Sequence, residues 1–280
     1  MGQTSILADY HIHTAFSDDS AYALEDVVKD AIRLNIDELC FTDHVDYGVK
    51  PEWGSKQDRL WLNKPVVNVN YPEFFKEFER VQEKYQGQIC LKKGFEFGIQ
   101  THTIPLFEKL YDSYDLDFVL LSIHQVEDQE FWTQEFQKGR TQAEIHTRYY
   151  QELYDVICQY KHYSVLGHLD LIRRYDEFGA YPFEAIEPYV RKILTQVIKD
   201  GKGIEVNTSS FRYGLKDLMP STDILKLYLE LGGRILTIGS DTHQAEHLGA
   251  YIQEVKQQLK ALGFTQVYTY TKMQAQAHAL

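Results

Sequence analysis

The alternation of short apolar runs with longer amphipathic segments restricts the fold of this sequence more than any other feature. Seven apolar runs have the length of buried strands, at residues 5–11, 38–42, 89–94, 118–122, 164–168, 203–207 and 236–240. Predicted helices follow at 24–34, 71–86, 105–113, 142–160, 182–200, 222–231 and 246–262, with a short final strand at 266–271. Repeated strand–helix units predict a parallel sheet of the α/β class. Because the 280 residues contain no second hydrophobic unit, we expect a single domain over 1–280 and favour a closed barrel over an open sheet.

Composition and charge restrict the partners of the chain. The formal net charge of −12 disfavours nucleic-acid binding, because that binding relies on Lys and Arg to neutralise phosphates. A small anionic ligand stays compatible with this charge, since bound divalent ions would make a pocket locally positive. We expect no membrane helix and no signal peptide, because no sufficiently long apolar stretch is present. The widely spaced Cys40, Cys90 and Cys158 predict neither disulfides nor a zinc ribbon and fit the reducing cytoplasm.

Histidines and acidic residues stand at the carboxyl ends of six of the seven predicted strands. In chain order these ends are Asp9-Tyr10-His11-Ile12-His13, Thr42-Asp43-His44, Gly94-Phe95-Glu96, Ser122-Ile123-His124, Gly167-His168-Leu169-Asp170 and Ser240-Asp241-Thr242-His243. In a barrel these ends converge on the face that carries the active site. A single histidine at such a place is more often an ordinary hydrogen-bonded residue, but six ends of the same kind predict a metal centre.

The residue types and their spacing suit transition-metal ions. Residues two apart in a strand point to the same side, so His11 and His13 can bind one ion together. Imidazole and carboxylate groups are ligands for zinc, manganese and iron. The neighbouring Asp9, Asp43 and Asp170 are candidates to orient an imidazole through a hydrogen bond.

Two long connections, 45–70 and 125–139, follow strand ends on the same face. Both contain large aromatic residues, among them Trp61 and Trp132. Long loops in compact domains are usually functional or disordered, and the aromatic content disfavours disorder. We therefore interpret these loops as candidate walls of a pocket, with separate packing clusters on the surface as the alternative.

In this order the six motifs resemble those of the polymerase and histidinol phosphatase (PHP) family, over roughly residues 6–247. The resemblance implies a distorted (β/α)7 barrel with a trinuclear metal site. One ion would be bound by His11, His13, Glu96 and Asp241, and Glu96 would bridge to a second ion held by His124 and His168. A third ion would be bound by His44, His243 and Asp19, where some members of the family have histidine in place of Asp19.

Within the family, the segments 13–20 and 167–175 look most like those of histidinol-phosphatases. The resemblance then implies hydrolysis of L-histidinol phosphate to L-histidinol and phosphate by a metal-bound hydroxide, in histidine biosynthesis. It implies two to three divalent Zn, Mn or Fe ions. The expected partner is a small phosphate ester, with neither nucleic acid nor membrane.

Arginine is the natural clamp for a phosphate group, because its planar fork makes paired hydrogen bonds. The candidates are Arg173 or Arg174, which should diverge because side chains alternate, and Arg212. The resemblance favours Arg174 with Arg212. His243 or Asp43 is the candidate to protonate the leaving oxygen, and Glu205 is a candidate to bind a substrate ammonium group.

Three other functions stay open at this point. Another PHP activity could be that of a nuclease or a broad phosphoesterase, although a nuclease should carry a basic groove. An amidohydrolase barrel also begins with an HxH motif, but would not explain the motifs at 42–44 and 240–243. A non-enzymatic metal- or phosphate-binding regulator should have lost ligands, whereas this set is complete apart from the exchange at Asp19.

Overall fold

Seven parallel strands form one sheet that curves into a nearly closed barrel in the computed structural model, which describes residues 5–61 and 63–280. In chain order the strands are β1 (Ala8–Ile12), β2 (Glu38–Val45), β3 (Cys90–Gly98), β4 (Phe118–Ser122), β5 (Val165–Leu166), β6 (Gly203–Asn207) and β7 (Leu236–Gly239). Each strand pairs in parallel with the next one along the chain. The predicted barrel of parallel βα units is confirmed.

The barrel closes loosely between β1 and β7. A parallel bridge joins Ile12 to Thr242, just beyond the end of β7. Below this bridge the carboxylate of Asp9 fills the seam, accepting hydrogen bonds from the backbone N–H groups of Ser240 at 2.8 Å and Gly249 at 3.0 Å. A buried side chain thus satisfies donors that no strand pairing reaches. The prediction that Asp9 orients an imidazole is wrong.

In the part of the chain that the structure describes, seven α-helices surround the barrel: α1 (Leu24–Arg33), α2 (Tyr71–Lys84), α3 (Ile104–Ser113), α4 (Gln142–Gln159), α5 (Phe183–Lys199), α6 (Thr222–Glu230) and α7 (Ile252–Leu262). Six of them agree with the predicted ranges within two residues. The last helix begins at Ile252 instead of 246, because residues 245–247 form a separate 3-10 turn and Tyr251 has a left-handed backbone with φ of 62°. In the described residues, no helix has both the length and the apolar character needed to cross a membrane.

Several strand ends differ from the apolar runs that predict them. β2 and β3 continue through Asp43, His44 and Glu96 to Val45 and Gly98, because these polar residues do not interrupt the pairing of the two strands. The apolar pattern alone therefore ends these strands too early. β5 is shorter than predicted and stops at Leu166, ahead of His168, whose φ is 20°.

A carboxyl-terminal hairpin closes the opposite end of the barrel. Its strands β8 (Gln266–Thr271) and β9 (Gln274–Ala279) pair antiparallel, so the predicted final strand is present but lies outside the barrel sheet. Tyr270 of β8 packs against Tyr10 and Phe118, which belong to a buried apolar cluster. Apolar packing fills this end, and the polar residues are left at the carboxyl end of the strands.

Candidate metal centre

Glu96, near the carboxyl end of β3, lies at the centre of a group of histidines. Its Oε1 atom is 3.0 Å from His124 Nε2 and 2.8 Å from His168 Nε2. Its Oε2 atom is 3.1 Å from His11 Nε2 and 3.5 Å from His13 Nε2. The carboxylate is completely buried. Each oxygen therefore faces a different group of imidazoles, an arrangement suited to a carboxylate shared by two cations.

Asp241 completes the group around His11 and His13. Its Oδ1 atom is 3.6 Å from His11 Nε2 and 3.4 Å from His13 Nε2. Asp241 has a φ of 56°, in the left-handed region that residues other than glycine rarely adopt. The Arg212 guanidinium donates to the carbonyl oxygens of Ser240 and Asp241, both at 2.8 Å. These hydrogen bonds hold the strained segment in place.

Asp19, in the loop after β1, lies between His44 and His243, the remaining two predicted ligands. Its Oδ2 atom is 3.2 Å from His44 Nε2 and 3.0 Å from His243 Nε2. His44 Nδ1 is 3.0 Å from Glu96 Oε2, so this group adjoins the one around Glu96. The structure thus brings all the predicted ligands together at one end of the barrel: His11, His13, Asp19, His44, Glu96, His124, His168, Asp241 and His243.

The donor atoms of this cluster fit divalent transition-metal ions. They form overlapping groups in which the candidate ligand atoms lie within 4.8 Å of one another. His13 Nε2 is buried and has no hydrogen-bond partner among the described residues. Leaving such an atom without a partner is costly, so native structures rarely do so. Imidazole nitrogens combined with carboxylate oxygens are the ligands that zinc, manganese and iron accept.

Two carboxylates orient candidate ligands from outside the cluster. Glu205 Oε1 is 2.6 Å from His11 Nδ1, and Asp46 Oδ1 is 2.7 Å from His124 Nδ1. Such contacts fix the orientation and the tautomer of a metal-binding imidazole. Sequence reasoning missed Asp46, although it lies two residues after His44, directly beyond the end of β2, where an extended chain places both on the same side.

The predicted role of Glu205 in binding a substrate ammonium group is wrong. Its carboxylate is completely buried and is not part of the cavity wall. While Oε1 contacts His11, Oε2 accepts the backbone N–H of His168 at 2.8 Å. Both oxygens therefore face the residues that form the metal cluster, and neither is available to a substrate.

Two glycines make room for these carboxylate–imidazole pairs. A Cβ atom at Gly98 would overlap the carboxylate of Asp46, and one at Gly239 would overlap both His11 and Glu205. Glycine alone lacks this atom, so the close approach of strand and side chain requires it at both positions.

The carboxylates of Asp43 and Asp170 accept hydrogen bonds from groups other than imidazoles. Asp43 accepts hydrogen bonds from the backbone N–H and the hydroxyl groups of both Thr14 and Ser17. Asp170 Oδ2 accepts from Arg173 Nη1 at 2.6 Å. Both carboxylates are completely buried, and neither lines the cavity. The prediction that Asp43 protonates a leaving group is therefore wrong, as is the prediction that these two residues orient an imidazole.

A cavity of about 470 Å³ lies over the metal cluster. Its walls contain Leu60, Trp61 and Val66 from the first long loop, and Gln125, Glu130 and Trp132 from the second. The prediction that both loops form walls of a pocket is confirmed, and the alternative of separate surface clusters is wrong.

Of the three candidate arginines, Arg174 and Arg212 line the cavity, whereas Arg173 does not. Arg173 Nη1 donates to buried Asp170, which draws it away from the cavity. The Arg174 guanidinium carbon lies 3.1 Å from the centre of the Tyr213 ring, a cation–π contact. The two adjacent arginines diverge as predicted, but they lie in a 3-10 turn, Leu171–Tyr175, so the strand alternation behind the prediction is not the reason. Sequence reasoning did not find Tyr213, because its contact with Arg174 joins two different strand-end loops.

Comparisons with known proteins agree with this arrangement. Residues 9–209 match the family model of the PHP domain. The chain belongs to the PHP domain family. A histidinol-phosphatase of Lactococcus lactis is 30% identical over 271 residues, covering 95% of this chain and 94% of that protein. A protein of Thermotoga maritima with the name probable histidinol-phosphatase is also 30% identical, covering 92% of this chain and 93% of its own length.

A solved structure shares the PHP-domain barrel. It is the crystal structure of histidinol phosphate phosphatase from Lactococcus lactis, complexed with zinc, L-histidinol and phosphate. The TM-score is 0.82 at 28% identity, and the match covers 96% of this chain and 98% of the Lactococcus chain. The predicted PHP-type (β/α)7 fold is confirmed.

Charges in this PHP-domain site stabilise one another. Burial raises the pKa of the Glu96 carboxyl group, but the neighbouring histidines, of which His11 has the largest effect, bring that pKa well below its usual value. Burial lowers the pKa of His124, and the carboxylates of Glu96 and Asp46 raise it to about 9. The buried carboxylate of Glu96 thus stays ionised and attracts positive charge.

His11 and His13 of the PHP-domain site differ in the balance of these effects. Burial lowers the pKa of both. The carboxylates around His11, led by Glu205, bring its pKa well above the usual value. At His13 the nearby His44 adds to the effect of burial, so the pKa lies well below the usual value. His13 is therefore in the neutral form that a metal ion requires.

Replacing Glu205 by glutamine is expected to lower the metal affinity of the PHP-domain site by roughly 10- to 100-fold. The amide removes the charged acceptor that orients His11 through Nδ1. Zinc titration of the metal-free protein by calorimetry would measure the loss, with Glu230→Gln on the exposed side of α6 as the control. A higher KM at unchanged metal affinity would contradict this role and restore Glu205 as a substrate ligand.

Proposed function

We propose that this chain is a metal-dependent phosphatase that hydrolyses L-histidinol phosphate to L-histidinol and phosphate, as a step of histidine biosynthesis. The observation that carries the proposal is the position of Glu96, whose two oxygens face two separate groups of imidazoles beneath a cavity lined by arginines. The likeness to the Lactococcus protein over nearly the whole of both chains supports the choice of substrate.

We infer that two to three divalent transition-metal ions bind this cluster. The first group would comprise His11, His13, Glu96 and Asp241, the second Glu96, His124 and His168, and the third Asp19, His44 and His243. Bound ions would neutralise the phosphoryl oxygens and lower the pKa of water, so that hydroxide is available near neutral pH. Zinc is the metal of the Lactococcus structure, and manganese and iron suit the same donors.

Arg174 and Arg212 would bind the phosphate group of the substrate. Arg174 has a buried Nε without a hydrogen-bond partner among the described residues. Each terminal nitrogen of Arg212 donates one hydrogen bond to a carbonyl group and has a second N–H left for a phosphate oxygen. Both side chains line the cavity beside Asp241, so the phosphate would lie between the arginines and the metal cluster.

A proton must reach the leaving oxygen when the ester bond breaks, and His243 is our prediction for the donor. It lines the cavity, and its Nε2 faces Asp19 at 3.0 Å. A nitrogen that binds a metal ion has no proton to donate, so His243 serves as the donor only while it is not a ligand.

We also propose that residues 1–280 form a single PHP-type domain and that the protein is located in the reducing cytoplasm. All three cysteines lie in the described part of the chain and are free thiols. Thiols without disulfides are usual in a reducing compartment.

Metal content is the first test. Protein purified without chelator is expected to contain about two to three divalent transition-metal ions per chain, because the ligands divide into three groups. Elemental analysis of the purified chain measures this directly. A content below one ion per chain would contradict the metal centre.

Substrate preference is the second test. Steady-state kinetics on a panel of phosphate monoesters should give the highest kcat/KM for L-histidinol phosphate, and dialysis against a chelator should abolish turnover. A clearly higher kcat/KM for another ester would contradict the assignment of L-histidinol phosphate as the substrate and indicate a PHP phosphatase with a different one.

A further inference from the structure

The cavity has two chemically different sides. Arg174 and Arg212 come from the loops after β5 and β6, next to Asp241. Another part of the wall is built from two short hairpins in the loops after β2 and β4, Leu60–Trp61 with Lys64–Pro65 and Gln125–Val126 with Gln129–Glu130. The organic part of an ester whose phosphate is held by the arginines would lie in the same cavity as these hairpins.

Two tryptophans meet on the hairpin side. The ring centres of Trp61 and Trp132 are 5.5 Å apart in an edge-to-face contact, and both rings line the cavity. Trp61 is 46% exposed and Trp132 is 48% exposed. Large apolar rings left open to solvent at the mouth of a cavity are typical of a binding surface.

The hairpin that carries Trp61 is held in place before any ligand binds. Lys64, in the hairpin of Trp61, donates hydrogen bonds of 2.6–2.8 Å to the carbonyl oxygens of Ala15, Ser17 and Ser20. Those residues surround Asp19 in the loop after β1. A rigid surface of this kind loses little conformational entropy when a ligand binds.

An ion pair joins the two hairpins. Arg59 Nη2 donates to Glu130 Oε2 at 2.5 Å, and the Arg59 guanidinium lies 5.4 Å from the centre of the Trp132 ring. The two loops are therefore connected over the metal cluster, which fixes the spacing of the two rings.

Gln125 adds an acceptor to this side. It directly follows the candidate ligand His124, is 1% exposed and lines the cavity. Its Nε2 donates to the Gly98 carbonyl at 2.8 Å, which fixes the side-chain amide. Its Oε1 is buried and has no hydrogen-bond partner among the described residues. An acceptor of this kind requires a donor, and the cavity is where a ligand can supply one.

We propose that Trp61, Gln125 and Trp132 form a subsite, here called the aromatic wall, for the leaving alcohol of the phosphate ester. The aromatic wall selects an alcohol that carries a planar ring and an N–H or O–H donor. This inference rests on the proposed phosphatase function and deepens it, because it assigns recognition of the organic part of the substrate to residues distinct from the metal ligands and arginines.

The kinetic test compares two substrates in each variant. L-histidinol phosphate has a ring and N–H donors, whereas ethyl phosphate has neither a ring nor a hydrogen-bond donor on its alcohol. In Trp132→Ala, the ratio of kcat/KM for the first substrate to that for the second should fall by about tenfold, because an aromatic contact is lost. Trp132→Phe should recover most of the ratio, since it keeps a planar ring. Gln125→Leu should lower the ratio by a similar amount, roughly tenfold, through loss of the buried acceptor.

Trp53→Ala is the matched control. Trp53 belongs to the same loop as Trp61 and is 43% exposed, but it does not line the cavity. Its substitution should leave the ratio unchanged. An equal loss for both substrates in Trp132→Ala and Gln125→Leu would overturn the aromatic wall.

Binding of the product alcohol gives a readout without turnover. Calorimetry with L-histidinol, in the presence of inorganic phosphate, should show weaker binding to Trp132→Ala and Gln125→Leu than to the wild type, with unchanged metal content. Unchanged affinity, or a change confined to the oligomeric state, would overturn the aromatic wall. Failure of the proposed function looks different, because the wild-type protein itself would then not hydrolyse L-histidinol phosphate.

Discussion

Replacing Glu96 by glutamine is expected to lower turnover by about 100- to 5,000-fold, the equivalent of roughly 3–5 kcal/mol for breaking a buried charged pair. The carboxylate offers one oxygen to His124 and His168 and the other to His11 and His13. The amide has a single oxygen, so one of the two groups would face an NH₂ group that cannot bind a cation. Metal content should therefore fall together with kcat.

Elemental analysis and steady-state kinetics on the same Glu96→Gln sample measure both effects. Glu152→Gln is the matched control, because Glu152 is also a buried glutamate but accepts hydrogen bonds from Thr101, away from the cavity. The control should retain its metal ions. Near-normal kinetics and full metal content in Glu96→Gln would remove Glu96 from the site.

Arg174→Ala is expected to reduce kcat/KM by about 30-fold to several thousand-fold, which corresponds to roughly 2–5 kcal/mol for a desolvated charged hydrogen bond. The side chain lines the cavity, is stacked on Tyr213 and is not a candidate metal ligand. The metal ions should therefore stay bound in this variant. Lysine at this position should rescue activity only partly, because a point charge lacks the planar fork of the guanidinium.

Two further variants, Arg173→Ala and Arg212→Ala, distinguish phosphate binding from structural roles of the arginines. Arg173 donates to buried Asp170 and should affect kinetics little, although stability falls when that carboxylate loses its partner. Arg212 holds the carbonyl groups of Ser240 and Asp241, so its loss should weaken phosphate binding and also lower metal content. Severe loss of activity in Arg173→Ala with a silent Arg174→Ala would reverse the assignment.

Local pattern at the strand ends predicted most of the candidate metal ligands, the resemblance to the PHP family added Asp19, and tertiary structure explains why the structure brings them together. His11, His124 and Asp241 belong to different strands, and their separation in sequence exceeds 100 residues in each case. Parallel strands of one barrel all end on the same face, so a residue at a strand end needs no partner in sequence to be placed near the others. The topology of the barrel therefore brings these three residues close together.

Residues that act on the ligands were harder to predict. Asp43 is next to His44 and Asp9 is two residues before His11, yet their carboxylates accept from Thr14 and Ser17 in one case and from backbone N–H groups in the other. Glu205, on a different strand, orients His11 instead. Adjacent residues in a strand point to opposite sides, so Asp43 faces away from His44. A shift in the pairing register between Asp9 and Ile12 interrupts this alternation in β1, and the carboxylate of Asp9 lies in the seam of the barrel.

The sequence by itself determined the fold class, the face of the barrel that carries the site and the candidate ligands, because apolar periodicity and polar strand ends are properties of local segments. Tertiary structure alone decided which carboxylate orients which imidazole, which of Arg173 and Arg174 reaches the cavity, and that Trp61 meets Trp132. These contacts depend on side-chain direction and on how separate loops pack over the barrel. A shift of one residue in the pairing of two strands would turn every side chain of a strand to its other face and change these contacts, although the order of apolar and polar residues in the sequence would be the same.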